Sequence, residues 1–274
     1  MTKLLFYSAL FLALGAVAVR PFERFMVYPL DPTEVDPTGF NVPGLIANEL
    51  TADDETRLVI WTRNPDPGKP VIVYFHGNAS NLANRIHRFD LFATQGYGLV
   101  ALGYRGSSGS GGKARQSLIE ADALVMYKAL PDLVQITTDT PVVLYGESIG
   151  AAVSIQLAKT IRQNNFRKPA ALVLEAPFTA LPHVVVHLYP WLKPITGIMV
   201  NKWPSEATID QIDSPLLILH GVNDQLIPVQ MGRDLLAASG ADDKQMIEVA
   251  GAGHNDVWNN DVWATLTEYL DATR

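Results

Sequence analysis

Three residue types able to carry out acyl transfer occur along this chain in the order Ser148, Asp224, His254. Ser148 is the centre of Gly146-Glu147-Ser148-Ile149-Gly150, a G-x-S-x-G pentapeptide directly after the apolar run 142–145. A serine hydroxyl is a weak nucleophile at neutral pH. It needs a base to take its proton and an acid to orient that base. The pentapeptide lies between a strand-like and a helix-like stretch, so a tight turn would lift the hydroxyl above a sheet at a helix N-terminus. Glycines on both sides let the backbone cross there without a Cβ clash.

Of the six histidines, His254 lies in a glycine-rich turn (Gly251-Ala252-Gly253) between the last expected strand and the last expected helix. That is the sheet edge where open α/β folds gather their sites. Asp224, in HGVNDQLIP after the run 216–219, is the expected acid, with Pro228 opening the next helix at its first position. Glu175, at the end of the preceding strand, is the competing acid and ranks second. For an oxyanion, the expected donors are the backbone N–H of Ile149 and that of Asn78, whose neighbour is Ala79, in the loop after the run 71–75. His76 and His220, each at a strand end, read as hydrogen-bonded structural histidines.

Two patterns are set aside. The stretch 106–113 (GSSGSGGK) imitates a phosphate loop, but Ser107 stands where the first glycine belongs and Ala114 follows the lysine. It reads as a flexible loop near the site. His183 and His187 have the spacing of a zinc pair, yet no adjacent glutamate or third ligand accompanies them. Neither a metal nor an organic cofactor is expected.

The elements that must position these residues alternate along the chain. Residues 45–50 and 58–63 read as an antiparallel pair. The near-continuous apolar runs 71–75, 98–103, 142–145, 171–174 and 216–219 read as strands buried on both faces, with 246–249 as a last strand. Helical patterns cover 81–93, 117–130, 149–163, 229–239 and 257–272. The fold class is therefore α/β, a mostly parallel doubly wound sheet with an antiparallel start. Residues 178–213 break the rhythm and read as a small cap over the sheet's C-terminal edge.

The order and spacing of YFHGNASN, GYRGSSGS, GESIGAA, EAPF, HGVNDQLIP and GAGHND resemble the α/β-hydrolase fold from about residue 71 to the C-terminus. More narrowly, FHGN, GYRG and GES resemble the bud-emergence subgroup of membrane-tethered α/β hydrolases, which includes protein depalmitoylases. That resemblance implies Ser148 as nucleophile, Asp224 as acid and His254 as base. Two departures stand out: Ala151-Ala152 where a second glycine often follows the elbow, and Ser107-Ser108 where an aromatic often follows Tyr-Arg-Gly. The expected activity is a serine hydrolase acting on an ester or thioester through an acyl-enzyme. An aminopeptidase-like amide hydrolase and a non-catalytic binding protein are the alternatives. The apolar cap side chains Tyr189, Trp191, Ile195, Ile198, Met199 and Trp203 point to a small-molecule or lipid-like acyl substrate.

Composition narrows the rest. A net charge of −7 argues against a nucleic-acid partner, and zero cysteines exclude a thiolate nucleophile and a disulfide framework. Residues 4–19 (LLFYSALFLALGAVAV) are uncharged and apolar, with Lys3 before them and Arg20-Pro21 after. They read as a signal peptide or a membrane anchor, outside the hydrolase domain of 21–274. The expected location is membrane-anchored, or exported if the segment is cleaved.

Overall fold

The apolar runs of the sequence form one eight-stranded sheet in the computed structural model, which describes residues 21–273. In chain order the strands are β1 (Ile46–Thr51), β2 (Arg57–Arg63), β3 (Val71–Phe75), β4 (Gly98–Leu102), β5 (Val142–Glu147), β6 (Ala171–Glu175), β7 (Leu216–Gly221) and β8 (Lys244–Val249). Their spatial order is β1-β2-β4-β3-β5-β6-β7-β8. The pairs β1/β2 and β2/β4 are antiparallel and all others parallel. The expected α/β-hydrolase architecture is therefore the observed one.

The longer helices among the described residues are α1 (Ile86–Thr94), α2 (Gln116–Lys128), α3 (Ile149–Gln163), α4 (Leu181–Leu188), α5 (Val229–Ala238) and α6 (Asn260–Ala272). Side chains alternate across a strand, so each central strand feeds two cores. Val71, Val73 and Phe75 pack with residues of α2, α3 and α5; Ile72 and Tyr74 pack with residues of α1 and α6. Strands β3 to β7 are buried at nearly every position, which is why they read as unbroken apolar runs.

Several expected boundaries shift, among them the helix expected over 81–93, which is a 3₁₀ turn (Leu82–Arg85) followed by α1 from Ile86. Pro228 is the N-cap of α5 rather than its first residue, with an extended ψ of 136°. The last helix begins at Asn260, because the Asn259 side chain accepts the amides of Asp261 and Val262 and caps it there. The strand expected at 246–249 begins at Lys244.

Between β6 and β7 the chain forms α4, a 3₁₀ segment (Pro190–Ile198) and a helical turn (Glu206–Ile209). Residues 21–27 are helical and fastened to this excursion. The buried Glu23 carboxylate accepts the amides of Val200 (2.9 Å) and Asn201 (2.6 Å) and the Asn201 side-chain amide (2.8 Å). Tyr28 donates to Asn201 Oδ1 and accepts from Trp203 Nε1, each at 3.0 Å. Trp203, grouped in the sequence with the apolar cap side chains that point to an acyl substrate, is thus wholly buried.

Among the described residues no helix is long and apolar enough to cross a membrane. Residues 4–19, on which the anchor or signal expectation falls, lie outside them.

Candidate active site

β3 has β4 on one side and β5 on the other, so the chain leaves its C-terminal end in one direction and returns in the opposite one. The carboxyl ends of β3 and β5 therefore open a crevice at the point where strand order reverses, the usual place for a site in an open α/β sheet. His76, Gly77 and Asn78 follow β3; Ser148 follows β5.

Ser148 occupies φ 55°, ψ −113°, a conformation that disfavours any residue with a Cβ. Its amide donates to Glu175 O at 2.8 Å, fixing the turn to the end of β6. The bracketing glycines are required by contact. A Cβ on Gly146 would lie 2.2 Å from Gly150 O, and one on Gly150 would lie 2.0 Å from Phe75 O. The elbow thus folds directly against both its own helix and the start of the loop after β3.

Ser148, Asn78 and Ile149 line one cavity. Among the described residues, the amides of Asn78 and Ile149 donate to no acceptor. Two unpaired N–H groups beside a serine hydroxyl, one of them at a helix N-terminus, can bind an oxyanion. The Ser148 hydroxyl makes no hydrogen bond among the described residues.

The loop after β3 is held from below by the stretch expected to be flexible. Ser107, Ser108 and Ser110 are buried. Ser107 Oγ donates to Ser80 O at 3.0 Å, Ser108 Oγ accepts the Leu82 amide at 3.0 Å, and Ser110 Oγ donates to Gly103 O at 2.7 Å. Buried hydroxyl side chains satisfy backbone groups here, so this stretch is packed scaffold.

His76 is structural, as its strand-end position implied. It is buried, lies against Tyr104 with ring centroids 4.1 Å apart, and donates from Nδ1 to Gly77 O at 2.7 Å. Burial first, then the nearby Arg85 cation, pushes its pKa down to about 3, so the ring is neutral. His220 is likewise buried, with Nε2 2.8 Å from Ile227 O and 3.6 Å from Asp224 Oδ2.

Asp224 and His254 come together from separate loops. Asp224 Oδ2 lies 2.7 Å from His254 Nδ1, and Oδ1 accepts the amides of Leu226 and Ile227 at 2.9 and 2.8 Å. Burial opposes ionisation of Asp224. The nearby His220 ring, the His254 contact and the hydrogen bond from the Ile227 amide outweigh it and hold the carboxyl well below the usual range. The loops are tied to each other by Asn223 N donating to Ala252 O at 2.8 Å. Leu226 and Ile227, just past Asp224, line the same cavity as Ser148.

Glu175, the competing acid, is committed elsewhere. Its buried carboxylate receives both terminal nitrogens of Arg88, the Tyr145 hydroxyl (2.6 Å) and the Trp258 indole N–H (2.9 Å). Beside it, Glu147 of the elbow is clamped by Arg85 (2.6 and 3.1 Å) and the Tyr74 hydroxyl (2.9 Å). Burial opposes ionisation of Glu147, but Arg88 and Arg85 hold its pKa below the usual range. Arg88 also lies over the Trp258 ring, 4.6 Å from its centroid. This network joins the elbow, the end of β6, α1 and the loop that carries His254. Sequence reasoning missed it; the available signal was a glutamate ending each of two apolar strand runs.

The cavity has a volume of about 500 Å³ and a largely apolar wall. Leu181, Val184 and Phe178 form its buried part; Trp191, Ile195 and Ile198 come from the 3₁₀ segment. Phe22 and Met26 complete it from the N-terminal helical residues, a contribution the sequence pattern did not indicate. His183 and His187 do not converge: His183 pairs with Thr179 Oγ1 at 2.8 Å and His187 with Gln225 O at 3.2 Å.

Comparison with known proteins gives the chain its family. The chain is 34% identical over 188 residues to an uncharacterized protein of Mycobacterium tuberculosis, covering 68% of this chain and 63% of that one. It is 31% identical over 182 residues to the lysophosphatidylserine lipase ABHD12 of Xenopus tropicalis, covering 61% and 46%. The matches thus span about half to three-fifths of those relatives' length. The esterase Pf2001 of Pyrococcus furiosus superposes with a TM-score of 0.70 at 19% identity, covering 89% of this chain and 97% of that one, a likeness of fold. The family model described as serine aminopeptidase, S33, matches residues 66–214. Spanning more than half of the chain, that match identifies it as a member of this family of α/β hydrolases.

Proposed function

We propose that the chain is a serine hydrolase that cleaves the ester or thioester of a hydrophobic acyl group through an acyl-enzyme on Ser148. The observation that carries this reading is a strained serine beside two unpaired amides, on the wall of an apolar cavity. His254 Nε2 takes the proton from Ser148 Oγ as Oγ bonds to the acyl carbon. Asp224 fixes the other ring nitrogen as a donor and stabilises the imidazolium that forms. The amides of Asn78 and Ile149 bind the oxyanion, each contributing roughly 3 kcal/mol in the transition state. Collapse breaks the bond to the alcohol or thiol, which leaves with the proton from His254. Water then attacks the acyl-serine with His254 again as base, releasing the acid and free Ser148.

The cavity wall favours this over aminopeptidase chemistry. Among the described residues lining it, Glu23 is the one acid, and its carboxylate is occupied by Val200 and Asn201 rather than open to an α-amino group. The name of one relative, a lysophosphatidylserine lipase, is in keeping with an acyl ester as substrate. The test is hydrolysis of p-nitrophenyl esters by the full chain and by Ser148→Ala. The reading requires activity in the first and background rates in the second; equal rates would refute it.

A further inference from the structure

Two parts of the chain far apart in sequence build the cavity's outer rim. Phe22 and Met26 come from residues 21–27, and Trp191, Ile195 and Ile198 from the 3₁₀ segment. Phe22 is 64% exposed, Trp191 75% and Ile198 58%. Phe25, also 75% exposed, shares the helical stripe of Phe22 and Met26 but does not line the cavity. Single exposed apolar residues are ordinary; a group of large ones around a cavity mouth marks an interaction surface.

Three observations identify the partner as a lipid surface. In the sequence, only Arg20 separates these helical residues 21–27 from the uncharged apolar residues 4–19. Glu23 bonds that helix to the cap at Val200 and Asn201, so the residues that directly follow the apolar stretch in sequence are fastened at the cavity mouth. Residues 178–203 contain no Asp or Glu but include the exposed Lys193 and Lys202, in a chain of net charge −7. An apolar face that carries exposed lysines, and whose Glu23 carboxylate is buried and bonded to Val200 and Asn201, suits a bilayer with anionic headgroups.

We propose that the rim formed by Phe22, Phe25, Met26, Trp191, Ile195 and Ile198 is seated in the lipid surface, so that the acyl substrate passes from bilayer to cavity without crossing water. Exposure to water disfavours an acyl chain by a factor of about four per methylene, and the rim removes that barrier. The route rests on the reading of the cavity as an acyl site; the seating does not.

The experiment uses the full chain with vesicles of phosphatidylglycerol and phosphatidylcholine, the latter with brominated acyl chains that quench tryptophan. Trp61 and Trp203 are buried, Trp258 and Trp263 partly so, and Trp191 is exposed. Brominated vesicles should quench the full chain, and Trp191→Phe should remove most of that quenching. Quenching that is absent, or equal in the two proteins, overturns the seating, as it would if the rim bound a protein instead. In a second arm, Phe25→Glu should slow hydrolysis of a long-chain ester in vesicles about tenfold and leave a soluble short ester unaffected. Equal slowing of both substrates, or slowing of neither, overturns the route. Quenching intact with no hydrolysis of either ester by the full chain counts against the acyl site alone.

Discussion

Asp224 grips His254 with one carboxylate oxygen, 2.7 Å from Nδ1, while the amides of Leu226 and Ile227 fix its other oxygen. The carboxylate can neither rotate away nor readily take up a proton, so the ring keeps its N–H on Nδ1 and leaves Nε2 as the basic nitrogen. Asp224→Asn should lower kcat for ester hydrolysis about 10³–10⁴-fold, because an amide can present its NH₂ to Nδ1 and favour the wrong tautomer. Steady-state kinetics with a circular dichroism control measures it; a loss under tenfold would remove Asp224 from the mechanism.

Glu175 should behave differently, although it ends the neighbouring strand. Glu175→Gln leaves the Arg88 guanidinium buried beside Glu147 without its main partner, and also weakens the tie to Trp258. Unpairing such a buried ion costs about 3–5 kcal/mol. Urea denaturation should show that loss of stability, whereas a variant as stable as the parent would contradict the network's structural role.

His76 gives the fold an acid-sensitive limb. The native ring resists protonation down to about pH 3, whereas the unfolded chain protonates it near its ordinary value of 6.5. Below 6.5 the unfolded state therefore binds the extra proton. Stability from this group is complete above 6.5 and is lost as pH falls toward 3, by up to about 1.4 kcal/mol per pH unit. His76→Asn lacks the titrating ring, so the stability gap between parent and variant should shrink between pH 7 and pH 4. A gap independent of pH would contradict the assignment.

Substrate length is the readout of the cavity. With about 500 Å³ of largely apolar space, each methylene buried there should raise kcat/KM roughly fourfold, from about 0.8 kcal/mol per CH₂. Val184→Trp, at a buried position on the wall, should shift the optimum to shorter chains. A p-nitrophenyl ester series measures both; a flat profile would show that the cavity does not hold the acyl chain.

What the sequence made legible was local. Val71 to Phe75 and Val142 to Tyr145 are buried on both faces, so burial wrote itself into continuous apolar runs. Gly146 and Gly150 stand where a Cβ would strike backbone, and that demand shows in a pentapeptide. Contacts between distant segments left no such trace. Tyr28 meets Trp203 only through tertiary folding, and nothing periodic in residues 21–30 announced a cavity wall. Ser107 and Ser108 read as a flexible loop because polarity usually means solvent, yet their hydroxyls satisfy buried backbone. The pairing of Arg85 with Glu147 and of Arg88 with Glu175 left no trace either, since charge pairing between a helix and a strand end has no sequence period.

The central claim is that Ser148 is an activated nucleophile, and covalent labelling tests it most directly. A fluorophosphonate reacts only where a serine is deprotonated by a positioned base. Intact-mass and peptide analysis of the full chain should show one adduct, on the peptide containing Ser148, and none in Ser148→Ala. An unlabelled parent chain, or an adduct that persists in Ser148→Ala, would contradict the account.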